Sequence, residues 1–164
     1  MHVVGNIEKK QMTQYTSYDL TTWGKPFQIR KNTLPKPVGQ EVLVRVTAAG
    51  LCHSDLHVQK GYMDLGEEGK LTFAERGAEL PMTFGHEIAG LVEDIGPEVS
   101  SVKIGQQVLV FPWIGCGQCE ACQENRESDC TLMRIIGLKQ KGGFATHCLV
   151  ENEKFLVDID DPPE

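Results

Sequence analysis

No stretch of this 164-residue chain approaches the roughly 18 apolar residues of a membrane-spanning helix. Its start, MHVVGNIEKKQMTQYTSYD, shows no charged segment followed by an apolar one, as an export leader would. Basic runs are missing as well: 16 Lys and Arg stand against 23 Asp and Glu, a net charge of −7. Nucleic acid and anionic membranes both call for clustered positive charge, so neither is expected as a partner. There is no internal repeat and no low-complexity segment. These absences lead to the expectation of a soluble, cytoplasmic protein. The length suits one domain, able to bury about 70% of its unfolded surface. A content of 40% hydrophobic and 24% charged residues is ordinary for a globular chain.

What is present is a series of short alternating segments. Residues 15–24 and 26–33 read as two strands about a Gly24-Lys25 turn, and LPKPVGQ (34–40) as a punctuated loop. EVLVRVTAAGL (41–51) puts Val42, Val44 and Val46 on one face and Leu43, Arg45 and Thr47 on the other, the pattern of a half-buried strand. HSDLHVQKG (53–61) reads as a short helix ended by Gly61. Residues 62–81, polar and with three glycines, read as a loop with room for one helical turn. Further strands are expected over 82–96, 106–113, 142–151 and 154–159. Many short strands and few helices imply a mainly β, barrel-like fold with short helices.

Six cysteines are present: Cys52, Cys116, Cys119, Cys122, Cys130 and Cys148. Without export they stay reduced, and reduced cysteines at short spacing usually hold a metal. Cys116, Cys119, Cys122 and Cys130 follow C-x2-C-x2-C-x7-C in a polar segment with almost nothing apolar to bury. Four thiolates satisfy Zn²⁺ tetrahedrally at about 2.3 Å each. Two-residue gaps let one turn present successive sulfurs, and Gly115 and Gly117 ease the tight backbone. The metal then replaces a hydrophobic core and ties down a zinc-binding lobe over 113–131. An iron–sulfur cluster is the competing use. The ferredoxin run continues C-x3-C-P, whereas the last gap here is seven residues and Thr131 follows Cys130. A structural zinc is expected, closed to reactants because no coordination position is free. Cys148, in a strand pattern, is expected to be buried rather than ligating.

Cys52, just after a strand, and His86, near the start of another, form a second set. A Cys/His set with a vacancy is what a catalytic zinc needs. His86-Glu87 does not begin an H-E-x-x-H site, because position 90 is Gly. Each residue has a plain alternative. A lone Cys after a strand is usually a small core residue, and a pair such as Ser54-Asp55 is usually a helix cap. GHEIAGLVEDIGPEV (85–99), however, matches G-H-E-x2-G-x5-G-x2-V. With CHSD at 52–55, His57 and the four-cysteine lobe in the same order, it resembles the zinc-containing medium-chain alcohol dehydrogenases over about residues 18–157.

The resemblance implies that residues 1–164 are the GroES-like catalytic domain of such an enzyme. The enzyme would oxidise a small alcohol to an aldehyde or ketone with hydride transfer to NAD or NADP. The resemblance makes Cys52 and His86 ligands of a catalytic zinc, and Glu87 an acidic neighbour that can approach or ligate the metal. It makes Asp55 the carboxylate that holds His86, and Ser54 and His57 a proton relay to solvent. It sets His53 near the cofactor's pyrophosphate, and Phe111 or Trp113 in the substrate pocket. Zinc is a Lewis acid that acidifies a bound alcohol, and an imidazole titrating near 6.5 in water suits proton exchange. His2 and His147 receive no role.

Two departures from the family pattern follow. No G-x-G-x-x-G succeeds a strand, and the nearest string, GCGQCE, belongs to the cysteine lobe. The dinucleotide-binding Rossmann domain is therefore expected to be missing from this chain, along with the third catalytic-zinc cysteine. The chain alone is expected to be inactive, its second zinc weakly held, and a cofactor-binding domain or subunit its partner. A stand-alone, non-catalytic zinc-binding GroES-like module is the alternative. The second departure is the 34 positions between Cys52 and His86, more than is usual in the family. The extra residues are expected at the rim of the substrate cleft, affecting substrate choice.

Overall fold

The computed structural model describes residues 12–159, so His2 lies outside it. In chain order the elements begin with β1 (Met12–Leu20), β2 (Gln28–Pro35), β3 (Val42–Gly50) and helix α1 (His53–Lys60). There follow β4 (Tyr62–Asp64), β5 (Lys70–Thr72), β6 (Met82–Thr83), β7 (Glu87–Ile95), β8 (Gln107–Val110) and β9 (Trp113–Ile114). The last are α2 (Glu120–Gln123), β10 (Arg134–Ile135), β11 (His147–Val150) and β12 (Leu156–Asp158). All pairings between these strands are antiparallel. A doubly wound parallel sheet is thus absent from the described residues. No helix among them is long and apolar enough to cross a membrane.

The central sheet runs β11-β3-β7-β8-β12, and a smaller one runs β2-β1-β6. Residues 142–146 stitch the two together. Gly142 N–H donates to the Thr83 carbonyl and Phe144 N–H to that of Phe84, both at 2.8 Å, while Thr146 N–H donates to Thr16. The result is the expected barrel-like, mainly β architecture.

Alternation explains the main core. Val42, Val44, Ile88, Val92, Val108, Val110 and Val150 point into one cluster, each nearly inaccessible to solvent. Burying such side chains contributes about 1.5–3 kcal/mol each relative to exposure. Leu43, expected on the outer face of a half-buried strand, is fully buried as well. Arg45 and Thr47 on that face are exposed, so β3 is two-sided in its burial only at its start.

Several boundaries differ from the sequence expectation. The segment 82–96 is two strands, broken at Phe84–His86. Gly85 there has φ +89°, and a Cβ on it would meet the Phe144 ring at 2.6 Å. The segment 106–113 is divided too: β8 stops at Val110 and Trp113 already belongs to β9, with Pro112, which has no N–H to give to a ladder, between them. Only 147–150 of 142–151 form a strand, because the glycines before it serve as stitching rather than ladder. Residues 154–159 open with a 3₁₀ turn before β12.

The segment 62–81 is more ordered than a loop. β4 and β5 form a hairpin around a 3₁₀ turn at Gly66–Glu68. Three-residue strands are too short to reveal a period, which hid them in the sequence. Beyond β5, Phe73 and Ala78 are buried with Leu20, Val58 and Phe84 in a second core, against which Met63 and Leu80 pack. This segment is thereby pinned onto α1.

Candidate functional site

The four-cysteine lobe leaves the sheet through β9 and returns through β10, which pair Arg134 with Ile114 and Ile135 with Trp113. Between them the one-turn α2, entered at Cys119, presents Cys122 inward. The four sulfurs lie within 4.8 Å of one another. Cys119 and Cys122 are 3.5 Å apart and Cys116 and Cys122 3.9 Å. Four donors about 2.3 Å from one tetrahedral ion stand about 3.8 Å apart, so the cage fits zinc. Gly115 is required by closeness: a Cβ there would lie 2.4 Å from Cys122 Sγ.

The thiols are electrostatically unequal. Backbone N–H groups of Gln118 and Cys119 pull Cys116 down to about 6, whereas burial pushes Cys122 up to about 12. Four thiolates at this spacing require a cation between them. The lobe is tied to the 3₁₀ turn at Glu153–Phe155 by Lys154 Nζ, 2.6 Å from the buried Glu127 carboxylate, which it holds below the usual carboxylate range.

The second set assembles from three elements. Cys52 caps α1, and its N–H donates to Asp55 Oδ2 at 2.9 Å. Asp55 is buried, and its Oδ1 lies 3.6 Å from Nδ1 of His86. His86 is delivered by the break between β6 and β7. That break is fixed by the buried Phe84 and by Thr83, whose hydroxyl donates to buried Asp19 at 2.7 Å. Ser54 Oγ stands 3.4 Å from His86 Nε2. Ligand atoms of Cys52, His86 and exposed Glu87 converge within 4.8 Å of one another. A thiol, an imidazole and a carboxylate fit zinc with room for a further ligand.

Two cavities flank His86. One of about 580 Å³ is lined by Cys52, His86, Glu87, Leu109 and Trp113. The other, about 290 Å³, is lined by Ser54, Asp55 and His86 together with Phe73 and Arg76 of the 62–81 segment. Trp113 faces both, and Phe111 leans on it with ring centroids 5.4 Å apart. His57 lies against exposed His53, centroids 4.6 Å apart. Ser54 bonds His86 rather than His57 among the described contacts.

Cys148 is 2% exposed and pushed up to about 12 by burial, in keeping with a core role. His147, given no role, pairs with Glu93 at 3.1 Å. The Asp19–Thr83 bond had no local signal, because its partners are 64 residues apart.

Residues 39–161 match the family model for the alcohol dehydrogenase GroES-like domain. The NAD-dependent alcohol dehydrogenase of Sulfurisphaera tokodaii is 40% identical over 137 residues, 83% of this chain and 38% of that protein. The D-arabinose 1-dehydrogenase (NADP(+)) of Saccharolobus solfataricus is 33% identical over 93% of this chain and 41% of that protein. Among solved structures, the D-arabinose dehydrogenase from Sulfolobus solfataricus superposes with a TM-score of 0.75 at 30% identity, covering 92% of this chain and 42% of that one. A cobalt- and zinc-bound thermostable alcohol dehydrogenase from Pyrobaculum aerophilum gives 0.72 at 27%, covering 89% and 41%. The chain spans about two fifths of the length of these relatives. Fold, cysteine cage and family match agree: the chain belongs to the alcohol dehydrogenase family, and carries its GroES-like domain.

Proposed function

We propose that this chain is the catalytic portion of a zinc-dependent alcohol dehydrogenase, oxidising a small alcohol to an aldehyde or ketone with hydride transfer to NAD or NADP. The convergence of Cys52, His86 and Glu87 beside a cavity, apart from a closed four-thiolate cage, carries this reading. Cys116, Cys119, Cys122 and Cys130 would hold the structural zinc, and Cys52, His86 and Glu87 the catalytic one. Zinc at the second set would supply Lewis acidity, bringing alcohol ionisation toward the neutral range.

The side chains do the rest. Asp55 keeps the proton on His86 Nδ1 and leaves Nε2 as the donor nitrogen. Ser54 Oγ, next to that nitrogen, receives the substrate's hydroxyl proton. Ser54 and His57 are three residues apart and share a face of α1. A bridging water or hydroxyl carries the proton between them, and His57 exchanges it with solvent. Trp113 walls the alcohol's apolar part. No dinucleotide fingerprint occurs in the 164 residues, so a further domain or subunit holds the cofactor, with exposed His53 near its pyrophosphate. Asp55 also braces the start of α1, but a purely binding module has no use for a proton relay through Ser54 and His57, which weighs against that alternative.

The test is oxidation of primary and secondary alcohols with NAD⁺ and NADP⁺ by the enzyme that contains this chain. The double variant C52S/H86A should lose turnover by at least about 10³-fold. Undiminished oxidation in that variant would remove the proposal.

A further inference from the structure

Within the 290 Å³ cavity, Arg76 is a cation set against apolar walls. Val58 of α1, Met63, Leu71 and Phe73 of the 62–81 segment, Trp113 and Ile135 supply those walls. The polar groups opening into it are Ser54, Asp55, His86 and Arg76. Asp55 is already engaged, one oxygen on Cys52 N–H and the other toward His86. The neighbouring acid, Glu75, is engaged too, since its carboxylate accepts a hydrogen bond from the Thr72 hydroxyl. Lys70, the segment's other cation, lies over the Tyr62 ring at 4.2 Å. No carboxylate among the described residues pairs with Arg76.

The position of Arg76 is built rather than casual. Its N–H donates to the Phe73 carbonyl at 3.1 Å, as does that of Ala78 at 3.0 Å, closing a tight turn. Both ends of that turn, Phe73 and Ala78, are buried in the second core, and Phe73 N–H is held by the Gly61 carbonyl at the end of α1. Arg76 is exposed and yet lines the cavity, so it stands at the open side. A guanidinium there is a fork for a carboxylate or phosphate oxygen pair. In a chain of net charge −7, Arg76 is the one Lys or Arg lining this cavity.

Resting on the dehydrogenase reading above, we infer that Arg76 is a specificity-determining residue, and that the preferred substrate is an alcohol or aldehyde with an apolar middle and an anionic far end. The reacting hydroxyl lies at His86, which lines both cavities beside the Cys52 and Glu87 set, with the chain of carbons along Phe73 and Trp113 and the carboxylate on Arg76. A volume of about 290 Å³ is near the lower end of ligand cavities, roughly 300–1,000 Å³, which suits a short chain.

The experiment uses the intact enzyme, loaded with zinc, and two matched alcohols: 6-hydroxyhexanoate and 1-hexanol. Hexanoate serves as the binding probe. R76A should raise KM for 6-hydroxyhexanoate and weaken hexanoate binding by about tenfold each, with 1-hexanol kinetics within about twofold. R76K should recover part of the loss, because a point charge replaces the fork. Equal changes for both alcohols mean that Arg76 acts only on the turn's structure, and overturn the inference. Hexanoate binding that is absent, or unchanged in R76A because the carboxylate sits on the metal, overturns it as well. If neither alcohol is oxidised while R76A still weakens hexanoate binding, the dehydrogenase reading fails and the anion site stands.

Discussion

Asp55 faces His86 across 3.6 Å, Oδ1 to Nδ1, from the buried side of α1. Its other oxygen braces the helix start through the Cys52 N–H. One carboxylate thus positions both the thiol and the imidazole of the second set. D55N keeps an acceptor for the Cys52 N–H but removes the charge. Affinity for the second zinc should fall about 10–100-fold, read by chelator competition, while the four-thiolate zinc is unaffected. D55A removes the brace too and should cost about 1 kcal/mol more in urea unfolding. Equal zinc affinity in D55N and wild type would separate Asp55 from the metal.

Gly115 is as constrained as any ligand, because a Cβ on it would strike Cys122 Sγ at 2.4 Å and Glu127 Cγ at 2.7 Å. G115A should therefore open the cage. Overpacking of this kind costs about 1–3 kcal/mol, and the loss should appear as zinc release at lower chelator concentration. A G115A protein with normal zinc retention and normal unfolding would show that the lobe can shift without cost.

Glu153 anchors the backbone at Ser100 and Ser101. Its carboxylate takes N–H groups of Ser100 and Ser101 and the Ser101 hydroxyl, and these bonds hold it below the usual carboxylate range, the Ser101 hydroxyl foremost. A carboxyl lowered on folding adds stability above its unfolded value, near 4.3, and loses it as pH falls through the lower folded value. The stability difference between wild type and E153Q should thus be widest at neutral pH and close in acid. Urea titrations at stepped pH measure it, and using the difference cancels acid effects on the metals. A pH-independent gap would contradict the assignment.

Much of the site was legible because its signals are local. The C-x2-C-x2-C spacing marks a cage whatever surrounds it, and Cys52, Ser54, Asp55 and His57 sit within one helix and its cap. The barrel-like architecture followed from period-2 runs such as Val42 to Val46. The missing parts depend on distant partners. β4 and β5 are three residues each, and Phe73 becomes a core residue only when Val58 and Phe84 arrive. The break at Gly85 looked like continuous strand because the residue that enforces it, Phe144, lies 59 positions on. Arg76 carried no motif at all, and the cavity alone singles it out.

The central claim is that two metal sites of different kind share this chain. Zinc content during graded chelation, in wild type and in C52S/H86A, tests it most directly. Wild type should show one resistant ion and a second, labile and substoichiometric one, and the double variant should lose only the labile ion. A double variant that still holds the labile ion would contradict the account.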